Sequence, residues 1–133
     1  MNNFYLTIQR NRKKWLIVFY GFAFFFGCFT FPIVNFSPDA PKVLTFISLL
    51  VCIGAYYETG MVAGALYHNK KIGFHILLSV FHVAVGMVLR YLLEFGEVSN
   101  TYNFTLPNIA VHMIAAVVIC TVSAVSLSNS IKQ

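Results

Sequence analysis

The chain has 133 residues, 59% of them hydrophobic and only 10% charged, with a mean hydropathy of +0.76. Soluble domains carry nearer a quarter charged residues, so this composition excludes an ordinary water-soluble fold. The net charge of +5 does not point to nucleic acid, because its distribution follows the apolar runs.

A helix needs about 20 mostly apolar residues to cross the ~30 Å of bilayer hydrocarbon. Four segments meet that length: 15–36, 43–67, 72–95 and 106–128. The predicted fold is an all-α integral membrane four-helix bundle, one domain over residues 1–133 with short loops. Arg10, Arg12, Lys13 and Lys14 precede the first span, Lys70 and Lys71 join the second to the third, and Lys132 follows the fourth. The other two junctions carry Asp39 with Lys42, and Glu94 with Glu97. Short basic loops stay on the cytoplasmic side, which puts both termini inside. A plasma membrane, in particular a bacterial inner or cytoplasmic membrane, is the expected location.

Residues 1–14 are polar enough to be a frayed or surface-lying lead-in. The first span is too long for the core of a secretory signal, and no small-residue cleavage site closes it, so it reads as retained. Its sequence FYGFAFFFGCFTF places aromatic rings on nearly every side. Pro32 and the SPDAP stretch at 37–41 end it, since proline lacks the backbone donor and restricts the residue before it. Trp15 and Tyr20 near the inner boundary, and Tyr91 and Tyr102 near the outer one, suit the membrane interface.

The second span turns from VLTFISLLVCIGA to YYETGMVAGALY, which brings Tyr56, Tyr57, Glu58 and Thr59. Gly60 and Gly64 lie four apart and form a packing face where backbones approach closely. The turn HNKK at 68–71 is so short that the second and third spans are expected to form a tight antiparallel hairpin.

The third span carries His75, Ser79, His82, Gly86, Arg90 and Glu94 at steps of three and four, a single helix face. Lipid cannot hydrogen-bond these groups, so the stripe must face other helices and make this the most enclosed span. By the helical rise, Glu58 and His82 sit at a similar depth, ~14 Å from the inner boundary. A carboxylate there needs a partner or a proton. Glu58, His82, Tyr57, Ser79 and His75 are therefore the candidate intramembrane polar or protonation site. Arg90 and Glu94 form a charge anchor at the outer boundary.

The loop at 96–105 is rich in Ser, Asn and Thr and contains the glycosylation sequon Asn103-Phe104-Thr105. In the fourth span His112, Ala116, Cys120, Ala124 and Ser128 recur every four residues, a ridge of small side chains headed by a polar one. Gly60, Gly64, Gly86, Ala116, Cys120 and Ala124 are the predicted helix-packing positions. They offer more packing faces than one bundle requires, which points to a membrane-protein partner or a homo-oligomer within the lipid bilayer. Cys28, Cys52 and Cys120 all lie inside spans without a CxxC pair and read as small packing residues.

No metal, haem or other cofactor is expected. His82 and His112 differ in depth by ~9 Å, and His75 and His82 stand ~10 Å apart on one helix. No nucleophilic triad, phosphate loop or carboxylate pair in a soluble pocket is present, so nothing argues for an enzyme. With its length and an acid within a span, the chain resembles small multidrug carriers, although their acid lies in the first span and Glu58 lies in the second. Bacteriocin immunity proteins share the size and four-span layout. The expected function is an accessory, regulatory or immunity-type subunit acting through helix–helix contacts. The alternative is a small proton-coupled carrier, working as an oligomer with Glu58 and His82 as its protonation site.

Overall fold

A computed structural model describes residues 2–33 and 42–132, and the chain is 87% helical, with no strand among the described residues. The helices are α1 (Asn2–Arg10), α2 (Arg12–Phe29), α3 (Lys42–Leu66), α4 (Ile72–Leu93), α5 (Val98–Asn103) and α6 (Leu106–Lys132). Three of them are long and apolar enough to cross a membrane: α3, α4 and α6 over Leu106–Ile131.

The first expected span, 15–36, is shorter than its sequence suggested. Helix α2 stops at Phe29, where the Thr30 amide bonds back to the Phe26 carbonyl, and the Phe31–Pro32 peptide is cis. The basic side chains of Arg12, Lys13 and Lys14 fill its first turn. The apolar part from Trp15 to Phe29 rises only ~22 Å. Residues 34–41, which include the SPDAP turn, lie outside the described residues.

Helix α6 packs on α3 and on α4, α2 packs on α4, and α2 touches α3 more loosely. The expected tight hairpin of α3 and α4 is not formed, because these two helices stand diagonally and hardly meet. The reason is backbone proximity. A Cβ on Gly60 would come within 2.3 Å of the Cys120 carbonyl oxygen, and one on Gly64 within 2.4 Å of the Ala124 carbonyl oxygen. A Cβ on Gly86 would lie 2.5 Å from the Gly27 Cα. Glycine therefore selects α6 as the neighbour of α3 and α2 as the neighbour of α4, in the way close-packed membrane helices use small residues. The short connection does not forbid this, since five residues reach ~17 Å, enough for the diagonal of helices ~9 Å apart.

This arrangement also answers for the small-residue ridge. His112, Ala116, Cys120, Ala124 and Ser128 are all buried, with the glycine face of α3 against them. The two faces that seemed surplus to one bundle cover each other, so they leave no free ridge for a partner. Enclosure is shared as well: α6 is wrapped between α3 and α4, while α4 keeps His75, Ser79, His82 and Gly86 buried.

The lead-in is a docked helix. Ile8 of α1 is fully buried in a cluster with Phe19, Leu66 and Leu127. The C-terminal carbonyls of α3, left without helical donors, are satisfied from distant parts of the chain. Gln9 donates to Ala65 O at 2.8 Å, Arg12 to Leu66 O at 3.3 Å and Ser128 to Gly64 O at 3.3 Å. Tyr5 meets His68 Nε2 at 3.4 Å, and the Tyr20 and Tyr67 hydroxyls are 3.0 Å apart.

At the opposite end α5 caps α4. The Asn100 side-chain amide donates to Tyr91 O at 3.1 Å and Glu94 O at 2.7 Å, and Asn103 donates to the Glu94 carboxylate at 3.4 Å. The sequon asparagine is thus buried and engaged, which makes Asn103 a poor glycosylation acceptor in the folded chain.

Candidate functional site

The five residues expected to form one polar site do not come together. His82 is buried between α2 and α4, ringed by Phe19, Tyr20 and Phe24 at centroid distances of 4.8, 5.3 and 5.7 Å, and its Nε2 has no hydrogen-bond partner. Ser79 faces α6, where Thr121 Oγ1 donates to it at 3.4 Å. His75 is buried, with the Phe74 ring edge-on at 5.9 Å. Tyr57 points outward from α3 and is 48% exposed.

Glu58 does not meet His82. Helix α2 lies between them: Phe19 packs its ring on His82 and also lines the space that Glu58 faces. Pairing by depth assumed the tight α3–α4 hairpin, and the diagonal placement of these helices removes it.

Glu58 opens instead into a groove of about 300 Å³ between α2 and α3. The walls are Trp15, Phe19, Phe22 and Phe26 of α2 and Ala55 and Val62 of α3, with Phe4 of α1 at one end. The side chain of Glu58 is exposed and has no hydrogen bond or ion pair among the described residues. Its polar neighbour Thr59 is occupied, since its hydroxyl donates to Ala55 O at 2.7 Å. Eight residues separate Glu58 from Leu66, so the carboxyl lies ~12 Å in from the basic end of α3. An acid at that depth costs about 3 kcal/mol on insertion scales unless it is protonated or paired.

A second polar group escaped the sequence reading. Ile33 N–H donates to His112 Nδ1 at 3.0 Å, which leaves the ring proton on Nε2 to be donated to the Tyr56 hydroxyl at 2.9 Å. The Tyr56 hydroxyl donates to Thr30 Oγ1, whose own proton goes to Phe26 O at 2.7 Å. Cys52 and Cys120 add weak thiol donors to Thr30 O and Tyr56 O. The chain of bonds starts on a backbone amide and ends on a backbone carbonyl, so it cannot pass a proton to water. It works as a lock that ties the end of α2 to α3 and α6 with every donor satisfied. The four-residue ridge revealed that His112 is enclosed. Nothing local in the sequence reveals that Thr30, Tyr56 and His112 meet.

Arg90 and Glu94 form the expected ion pair one turn apart at the C-terminal end of α4. Among the described residues no group of three or more His, Cys, Asp or Glu side chains could hold a metal ion. Both ring nitrogens of His112 are taken, so a haem shared with His82 would require breaking the lock. Comparison with known proteins finds no matching family model, no similar curated protein and no similar solved structure.

Proposed function

We propose that this chain is a small multi-pass protein of the plasma membrane, with α2, α3, α4 and α6 all crossing and both termini inside. We propose further that it works as an accessory, regulatory or immunity-type subunit of another membrane protein. The crossing of α2 is supported by its pairing with α4 through Gly27 and Gly86, and by the outward rings of Phe22, Phe25 and Phe29. Residues 31–33 extend its apolar length beyond Phe29. The orientation is supported by the cluster of Arg10, Arg12, Lys13, Lys14, Lys70 and Lys71 at one end, against Glu94 and Glu97 at the other.

The observation that carries the subunit reading is Glu58, an unpartnered carboxyl in an aromatic groove at membrane depth. Such a group is stabilised by an occupant with an apolar body and a cation or strong donor at that level. Among the described residues a second copy of this chain offers no cation at that level, only the outward Tyr57 hydroxyl. Arg90 lies near the far end and is held by Glu94, while His75, His82 and His112 are buried. The occupant is therefore a transmembrane helix of a different protein that places a basic side chain against Glu58.

A photo-cross-linker in place of Phe22 on the groove wall tests this in native membranes, with one in place of Val118 on the outer face of α6 as control. The expected result is a protein adduct from position 22 alone, lost in Glu58→Leu, whose cross-linked peptide is an apolar helix with Lys, Arg or His within one turn. Adducts only to lipid or to a second copy, or adducts unchanged in Glu58→Leu, would contradict the reading. The carrier alternative receives no comparable support, because the stripe of α4 is packed against α2 and α6.

A further inference from the structure

The basic end of the molecule has an unused feature that shares Trp15 and Val18 with the Glu58 groove but opens toward Asn11 and Lys14. Helix α1 is held down by Ile8, and Arg12 is committed to the Leu66 carbonyl. Lys14 is left exposed, and among the described residues no acidic side chain stands at that end. Asn11, which precedes α2, makes no side-chain capping bond, and its side chain is exposed. Between these two side chains lies a shallow niche of about 280 Å³, walled by Trp15 and Val18. Phe4 fixes the indole from the other side, edge-on at 5.9 Å.

We propose that this niche, formed by Asn11, Lys14, Trp15 and Val18, binds the phosphate headgroup of an anionic phospholipid. The four positions follow one helix face at steps of three, one and three, so they present in order a polar donor, a cation, an interfacial ring and a methyl surface. That sequence of chemistry matches a lipid read from headgroup to acyl chain. The Lys14 ammonium and the Asn11 amide meet the phosphate oxygens, the indole lies at the glycerol level where tryptophan prefers to sit, and Val18 meets the first methylenes. The phosphate is the common recognition element, and the excess charge of an anionic headgroup strengthens the attraction to Lys14. Arg10 and Lys13, also exposed and unpaired, add a diffuse attraction to the same leaflet.

Trp15 is the single tryptophan of the chain, so the site reports on itself. The full-length protein in bicelles of zwitterionic lipid is titrated with acyl-brominated lipid of anionic or zwitterionic headgroup, and quenching of Trp15 fluorescence is followed. The anionic lipid should half-quench at about one-fifth of the mole fraction the zwitterionic lipid needs, the preference one cation confers at a membrane surface. Lys14→Gln should bring the two curves together. Lys71→Gln, which removes an equal charge at the same end but outside the niche, should leave the preference intact. Saturating inorganic phosphate should not relieve the quenching. Equal quenching by both lipids in the unaltered chain, or a preference that survives Lys14→Gln or falls equally with Lys71→Gln, would overturn the site. Relief by inorganic phosphate would overturn the lipid assignment in favour of a free anion.

Discussion

Helix α3 has two faces that meet its neighbours in opposite ways. Toward α6, Gly60 and Gly64 bring the backbones into contact, and Tyr56 is locked to His112. Toward α2, the same few turns present Ala55, Glu58, Thr59 and Val62 to a groove of about 300 Å³. Apolar surface alone does not separate these seams, since inside a bilayer lipid is as apolar as leucine. What separates them is side-chain size at the contact and whether polar groups find partners within the chain. The closed seam has both in its favour and holds the fold, while the open seam lacks both and leaves a groove.

The sharpest way to break this contrast is to add bulk on each side of α3. Gly64→Val should destabilise the purified chain by about 3 kcal/mol, because the added carbons meet the Ala124 backbone rather than a side chain that can swing away. Gly54→Ala on the same helix, where no atom lies within 4 Å of the new Cβ, should change stability by no more than about 0.5 kcal/mol. Denaturation in mixed micelles followed by circular dichroism measures both. Equal effects of the two would mean that the α3–α6 crossing is not the close one.

The lock comes next in size. Tyr56→Phe removes the hydroxyl that receives from His112 Nε2 and donates to Thr30, leaving a buried donor without an acceptor, and should cost about 2 kcal/mol. Loss of signal from a slowly exchanging His112 ring proton in nuclear magnetic resonance would accompany it. At the C-terminal end of α4, Glu94→Gln should cost only about 0.5 kcal/mol, since the amide oxygen still accepts from Arg90 and Asn103. The same micelle denaturation compares the three variants, and a larger loss for Glu94→Gln than for Tyr56→Phe would reverse the assigned order.

Helix-forming apolar runs and their small-residue faces could be read from the residues themselves, because length, hydropathy and a step of three or four are local properties. The sequence therefore anticipated α3, α4 and α6, the buried stripe of α4, the ridge of α6 and the Arg90–Glu94 pair. Adjacency was less legible. A turn of four residues suggests neighbours, but glycine faces on α3 and α4 point to different helices, and backbone contact outweighed the short connection. That one reversal moved Glu58 away from His82 and filled the packing faces that had suggested a partner. The end of α2 at Phe29 reflects Pro32 and the bonds of Thr30 to Phe26, and the His112–Tyr56–Thr30 lock joins residues 26 and 56 positions apart in sequence. Neither that lock nor the burial of Ile8 leaves a periodic trace.

The central claim is that Glu58 contributes nothing to the fold of the chain alone and is kept for contact outside it. The most direct measurement is the unfolding free energy of purified Glu58→Leu beside the unaltered chain in the same micelles. The account predicts stability equal to the unaltered chain or above it, by up to about 3 kcal/mol, since an unpaired acid at membrane depth is replaced by an apolar side chain. A loss of 1 kcal/mol or more (about a fivefold fall in the folding constant) would mean that the carboxyl is paired within the chain, and would contradict the account.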